Sequence, residues 1–153
     1  MTPSGAIWAV ASDGSGWVVV NQATSVNSDI VAARISSAGV LLDPGPRRIV
    51  PGTYYSRGGF QLAYAGGVYL LAYEESATGH DPTNAIRFDA FLNVLDAGPF
   101  PLAPSPLGRM VSNDSGFYAV WNQQLPDFSM SGRPISSQPA IFSIRRAVSP
   151  ARV

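Results

Sequence analysis

The amino-acid sequence predicts an all-β protein built from repeated units, and three observations lead to that class. Apolar runs are short, and 15 glycines and 13 prolines interrupt the chain too often for helices of ordinary length. No stretch has the periodicity of an amphipathic helix. A phrase made of an apolar run, a turn and a second apolar run occurs three times in the 153 residues.

The composition is that of a folded domain, and it excludes several classes of partner. Hydrophobic residues make up 46% of the chain and charged residues 13%, which is too apolar for a disordered protein. The ten basic and ten acidic residues balance and form no basic stripe, so we expect no nucleic-acid partner. Runs such as WVVV are shorter than the ~20 residues of a transmembrane helix, so we expect no membrane insertion.

The missing residue types exclude much catalytic chemistry. All ten basic residues are arginine, so neither Schiff-base catalysis nor a lysine-containing phosphate loop is available. The chain has no cysteine, which rules out thiol catalysis, disulfides and cysteine-ligated zinc. The only histidine, His80, lies in TGHDPTN without a second nitrogen ligand. We therefore expect neither a metal site nor a cofactor.

The first half of each unit predicts a tight hairpin. The three phrases align on Trp17, Tyr69 and Phe117, at spacings of 52 and 48 residues. The turns between the apolar runs are DGSG at 13–16, GG at 66–67 and DSG at 114–116, and such residues accept positive φ. Because the three aromatic residues recur in register, we interpret them as a structural core that packs between units.

The second half of the unit is visible twice. Arg34 and Asp43 in the first unit match Arg87 and Asp96 in the second, at a spacing of 53 residues. The alternation of the flanking apolar residues places the arginines on one face of a strand. We interpret the two aspartates as turn residues ahead of proline or glycine. The two arginines are predicted to face solvent or to contact a neighbouring unit.

The repeat predicts a single domain over 1–153 with about three four-stranded antiparallel units, at approximately 6–58, 59–107 and 108–153, the last one incomplete. Each unit has two strands in a tight hairpin, a longer connection and two more strands. A repeated sheet of this size is typical of a β-propeller blade. A β-sandwich is the alternative, because it also has short strands at regular spacing.

The phrases VASDGSGWVVV, DIVAARISSAGVLLD and FYAVWNQ resemble the degenerate repeats of bacterial secreted tandem-repeat β-propeller proteins. The resemblance covers almost the whole chain. The second unit departs from the pattern with AGGV at its turn, and the third with the insertion LPDFSMSGRPISSQP. The resemblance implies an extracellular or cell-surface location, although MTPSGAIWAV has no signal-peptide features.

Three units are fewer than the about 4–8 blades of closed propellers. Each unit of a stack buries its faces against its neighbours, so the terminal units of an open stack expose apolar surface. We expect the chain either to be a fragment completed by the missing blades of a parent chain or to close a ring as a homodimer.

The candidate ligand-binding residues lie where the second strand of a unit leads into the connection to the third strand. In a propeller these connections join the more variable, ligand-facing surface. The residues there are Tyr73, Glu74, Glu75, Trp121, Asn122 and Gln123. Aromatic residues at such positions stack on sugar rings or pack between sheets, and polar ones contact ligand or solvent. The predicted ligand is a carbohydrate or a protein.

These features predict a non-catalytic module for recognition or structural display. The alternatives are a glycan-binding, lectin-like module and a glycosidase or sialidase-like enzyme of the same fold. Glycoside hydrolysis uses two carboxylates across the substrate, whereas Glu74 and Glu75 are strand neighbours that point to opposite faces. Glu75 would have to pair with Asp81 or Asp127, and Arg109 is the single candidate for a central arginine.

Overall fold

A computed structural model of the protein describes residues 7–22, 28–53, 59–74, 82–104, 107–113, 116–122 and 139–145. All regular structure in these ranges is β-strand, so the predicted all-β class is confirmed. The strands are β1 (Ile7–Ser12), β2 (Gly16–Gln22), β3 (Ser28–Ser36), β4 (Arg47–Thr53), β5 (Gln61–Ala65), β6 (Val68–Glu74), β7 (Thr83–Asp89), β8 (Phe100–Ala103), β9 (Leu107–Asn113), β10 (Gly116–Asn122) and β11 (Pro139–Arg145). The described residues contain no helix able to span a membrane.

The strands form three open antiparallel sheets, and each sheet follows the order of the chain. The first sheet is β1-β2-β3-β4, the second is β5-β6-β7-β8 and the third is β9-β10-β11. The predicted four-stranded antiparallel sheets are therefore present in the first two units. The third unit has three strands within the described ranges.

The strand registers of the three sheets are equivalent, and the recurring aromatic residues mark the equivalence. In each sheet, the aromatic residue near the start of the second strand lies opposite an apolar residue of the third. These pairs are Trp17–Ile35, Tyr69–Phe88 and Phe117–Ile144. The alignment made on the sequence therefore also holds for the backbone pairing.

The two hairpins of the first and second units reverse the chain by different means. Gly66 and Gly67 have φ angles of 55° and 89°, and this two-residue turn needs positive φ at both positions. In the first unit, the carboxylate of Asp13 accepts hydrogen bonds from the backbone N–H groups of Ser15 and Gly16, at 2.8 and 3.0 Å. The predicted turn residues thus form both hairpins.

The connection between the third and fourth strands also repeats. In both units an isolated bridge closes it, and one residue in its turn adopts the left-handed conformation. That residue is Gly39 in the first unit, with φ of 80°, and Leu92 in the second, with φ of 64°. Glycine adopts this conformation without strain. Leu92 is strained there, and its burial in the apolar core offsets the cost.

Two apolar clusters lie between the sheets, and the second sheet contributes to both. The first seam joins the first and second sheets and includes Val18, Val20, Ile30, Tyr69, Leu71, Tyr73 and Phe88. The second seam joins the second and third sheets and includes Leu70, Ala72, Ala85, Met110, Phe117, Ala119 and Trp121. Successive residues of β6 point to opposite faces of the sheet. The second sheet is therefore buried on both faces.

Candidate functional site

An arginine and an aspartate are bonded to each other at the same place in the first two units. Arg34 donates from its backbone N–H and its guanidinium to the carboxylate of Asp43, with an Nη2–Oδ1 distance of 2.6 Å. Arg87 bonds Asp96 in the same way, with a distance of 2.5 Å. We call each pair an Arg–Asp clamp, because it fastens the connection after the third strand to that strand.

The clamps hold their carboxylates ionised. Hydrogen bonds from Arg34 lower the pKa of Asp43 below its ordinary value, against a smaller opposing effect of burial. For Asp96 burial is the largest single effect and raises the pKa, but the donors and charge of Arg87 together outweigh it, so the pKa is again lowered. Both clamps are charge-assisted and close within their own unit.

The clamps add a second role to Asp43 and Asp96, which lie at bends ahead of Pro44 and Gly98 as predicted. Their carboxylates bond a strand residue nine positions earlier, because the chain reverses between strand and aspartate. A side-chain-capped turn lies at Asp89, whose carboxylate accepts from the N–H groups of Phe91 and Asn93. The sequence signal that we missed is Asp89 itself, which follows the strand directly.

The first seam opens into a cleft at the end of the sheets that carries the short turns. The cleft has a volume of about 260 Å³. Its apolar lining includes Val18, Leu42, Ala90 and Phe91, and its polar lining includes Asp13, Ser15, Arg34, Ser36 and Tyr69. Both sheets contribute, so the cleft exists only where two units stack.

Two arginines of the first unit cross the first seam beside this cleft. The guanidinium carbon of Arg34 lies 5.8 Å from the ring centroid of Phe91, and the same guanidinium binds Asp43. Arg47 donates to the backbone carbonyl of Phe91 at 3.2 Å. The expectation of an arginine between units therefore fits Arg34, which bridges the two sheets.

Two ionisable groups that line the cleft, Tyr69 and Asp13, have shifted pKa values. Burial raises the pKa of the Tyr69 phenol above its ordinary value, and the nearby carboxylate of Asp13 raises it further. Burial also raises the pKa of Asp13, but the donors of Ser15 and Gly16 together bring it below its ordinary value. The part of the chain that the structure describes contains no group of three or more potential metal ligands. The cleft therefore offers aromatic walls and polar groups of which Asp13, Arg34 and Ser36 are already hydrogen-bonded.

The sequence-predicted aromatic residues Tyr73 and Trp121 lie in different seams. Tyr73 is 1% exposed and stacks on Phe60 in the first seam, with ring centroids 6.3 Å apart. Trp121 is buried in the second seam. The second sheet lies between these clusters, so the structure does not bring the two rings together. Their burial favours the packing interpretation over sugar stacking.

The predicted polar residues are described only in part. Glu74 is half-buried beside Gly59, whose missing side chain leaves room for the Glu74 carboxyl, and burial raises the pKa of Glu74. Asn122 lies at the end of β10, where its backbone is opposite Pro139. The predicted residues Glu75 and Gln123 lie outside the described residues, as do His80, Asp81 and Asp127. Arg109 lies on β9 with an exposed side chain.

The three residues predicted as a structural core differ in burial. Tyr69 is fully buried in the first seam and Phe117 is 7% exposed in the second, as expected for packing between units. Trp17 is 48% exposed and belongs to neither seam. The core interpretation therefore does not hold for Trp17, which lies on the face of the first sheet that points away from the second.

Comparison with known proteins adds no relative. No protein-family model, no curated protein and no solved structure matches this chain significantly. The resemblance to secreted tandem-repeat propellers stays a prediction.

Proposed function

We propose that the chain is a propeller-type repeat module that serves recognition or structural display and performs no catalysis. The observation that carries the proposal is the second sheet, which is buried on both faces between two equivalent sheets. A two-layer sandwich leaves each sheet one outer face, whereas stacked propeller blades bury both faces of every inner sheet. Three stacked layers with equivalent registers favour blades.

The use of the charged residues supports the non-catalytic part of the proposal. Asp43 and Asp96 are bonded in the clamps, and Asp13 and Asp89 cap turns. Each of these carboxylates has a pKa below its ordinary value, which is unsuited to a general acid at neutral pH. Arg34 and Arg87 are engaged by the same aspartates. These groups maintain the fold of each unit.

Hydrogen exchange tests the stacking. In the monomeric chain, if the second sheet is the inner layer, the amides of β6 exchange most slowly, and those of the equivalent strands β2 and β10 exchange faster. In a two-layer sandwich the central strands of the two packed sheets would be protected equally. Equal protection of β2 and β6, with fast exchange throughout β10, would contradict the propeller-type stack.

A turnover assay tests the absence of catalysis. We expect no hydrolysis from a panel of fluorogenic glycosides, including sialosides, while a glycan and peptide array detects binding without turnover. The matched variant is Glu75→Gln, since the enzymatic alternative depends on that glutamate, and Glu74→Gln is its control. Hydrolysis by the natural chain that disappears in either variant would overturn the proposal in favour of a glycan-active enzyme.

A further inference from the structure

The outer face of the first sheet exposes residues whose equivalents are buried elsewhere in the same chain. Val10 is 53% exposed, whereas its equivalent in the third sheet, Met110, is buried in the second seam. Trp17 is 48% exposed, whereas Tyr69 and Phe117 are buried against the preceding sheet. In the second and third units, this face is covered by another unit. One end of this face, at Val10 and Trp17, is thus exposed where the equivalent positions are covered, while Val19, Asn21 and Ala33 on the same face are buried.

The outer face of the third sheet likewise exposes residues whose equivalents are buried in a seam. Val111 is 61% exposed, and its equivalent in the second sheet, Ala63, is buried in the second seam. Val120 is 36% exposed, and its equivalents Val20 and Ala72 are fully buried in the first and second seams. In the first and second units this face is covered by the following unit.

We propose that these two faces dock onto each other between two copies of the chain, head to tail. The outer face of the first sheet, at Val10 and Trp17, receives the outer face of the third sheet, at Val111 and Val120, of a second copy. At one end of the first face, the contact uses positions whose equivalents form the two seams inside the chain. This inference rests on the proposed function, because it requires the sheets to stack as propeller blades do.

Two arguments select a second copy as the occupant. First, the chain itself shows what covers each face, since the equivalent faces inside the chain are covered by a unit of this same repeat. Second, two copies with three sheets each supply six blades, within the about 4–8 of closed propellers. A head-to-tail contact closes into a ring when its rotation allows, and two contacts then form at once.

The exposed part of the first face is confined to one end. Val19 and Asn21, on the same face as Trp17, are 8% and 6% exposed, so they offer little further surface. Docking is therefore expected to depend on Val10 and Trp17, and above all on the large aromatic ring. This makes Trp17 the residue to change.

Light scattering after size exclusion tests the association. We expect the natural chain to have twice the 16.1 kDa mass of one copy. Trp17→Asp and Val111→Asp each remove one half of the contact and should raise the dimer dissociation constant at least about 30-fold. The matched control is Val40→Asp, since Val40 is 60% exposed on a turn outside both faces and its change should leave the dimer intact. Circular dichroism verifies that the variants fold.

Mixing the two variants tests the head-to-tail arrangement. Trp17→Asp keeps a natural third-sheet face and Val111→Asp keeps a natural first-sheet face, so the mixture should form a 1:1 complex through one contact. If like faces docked on each other, each variant alone would still dimerise and the mixture would form no new contact. Either of those results would overturn the proposal.

The outcomes also separate this inference from the proposed function. A natural chain that is monomeric, with β6 still the most protected strand, would overturn the docking and leave the stacked module in place. A natural chain that forms a ladder of larger species, abolished by both variants, would overturn ring closure. Uniform protection of the three sheets in monomeric Trp17→Asp protein would overturn both proposals together, whereas uniform protection of the natural dimer is what ring closure predicts.

Discussion

The first and second units have the same local structure and different surroundings. Both have four strands in the same order, an Arg–Asp clamp and a left-handed residue in the same connection. The second unit contributes to an apolar seam on both faces, and the first unit contributes to one seam only. Residues that make contacts within a unit therefore have the same contacts in both units. Residues at positions that face a neighbouring unit differ in burial, as Trp17 and Tyr69 do.

The largest expected effect on stability is that of Tyr69→Ala, which should exceed the effect of Trp17→Ala. Tyr69→Ala removes a fully buried ring from the first seam and should lower the free energy of unfolding by about 3–5 kcal/mol. Trp17→Ala should lower it by about 1–2 kcal/mol, because half of that side chain is already in water. Urea denaturation measures both values, and a Val111→Asp background removes any contribution of dimerisation. Equal losses at the two positions would contradict the difference in coverage.

Removal of the Arg–Asp clamp should lower the free energy of unfolding by a similar amount in the two units. Asp43→Asn and Asp96→Asn each remove a charge-assisted bond to a neighbouring arginine, and each should lower the free energy of unfolding by about 1–3 kcal/mol. The measurement is chemical denaturation at neutral pH. A loss in one unit only would show that the clamp depends on the neighbouring sheet, contrary to its closure within the unit.

The pH dependence of stability follows from the same clamps. Asp43 and Asp96 have lowered pKa values in the folded state, so their contribution is fully present above the unfolded value of about 4 and is lost as the pH falls through the folded values. The melting temperature of the natural chain should therefore fall towards that of the Asp43→Asn, Asp96→Asn double variant as the pH is lowered from 7 to 2. A difference between the two that stayed constant from pH 7 to pH 2 would contradict this mechanism.

The smallest expected effect on stability is that of a substitution at Gly39, which has the left-handed conformation. Gly39→Ala meets no neighbouring atom, but its φ of 80° is unfavourable for a residue with a side chain, so the loss should be about 1 kcal/mol. Gly45→Ala is the control, since it has equal space and no positive φ, and its effect should stay within about 0.5 kcal/mol. A neutral Gly39→Ala would show that the connection relaxes, and that Leu92 at the equivalent position needs no compensation from burial.

The sequence alone predicted the features that depend on neighbouring residues along the chain. Gly66 and Gly67 identified a hairpin because only a few residue types accept positive φ, and the alternation of apolar residues identified the strands. The spacing of 53 residues between the two Arg and Asp pairs was visible, but not that each arginine bonds its own aspartate. That bond depends on how the chain reverses after the strand.

Features that depend on the neighbouring unit were predicted less well. Trp17 has the sequence context of Tyr69 and Phe117, but its burial depends on which sheet lies against it. Tyr73 and Trp121 occupy equivalent strand positions, yet they lie on opposite sides of the second sheet because each points towards the preceding unit. A repeat in the sequence gives the equivalence of positions and does not give the number of neighbours.

The Arg–Asp clamp has a consequence for how such a chain changes in evolution. Because each clamp closes between residues nine positions apart, a duplicated segment of about fifty residues carries its fastening with it. A copied unit would need no compensating substitution elsewhere to hold its last connection in place. The number of units can then vary by gain or loss of whole segments, while selection acts on the apolar faces through which the segments meet.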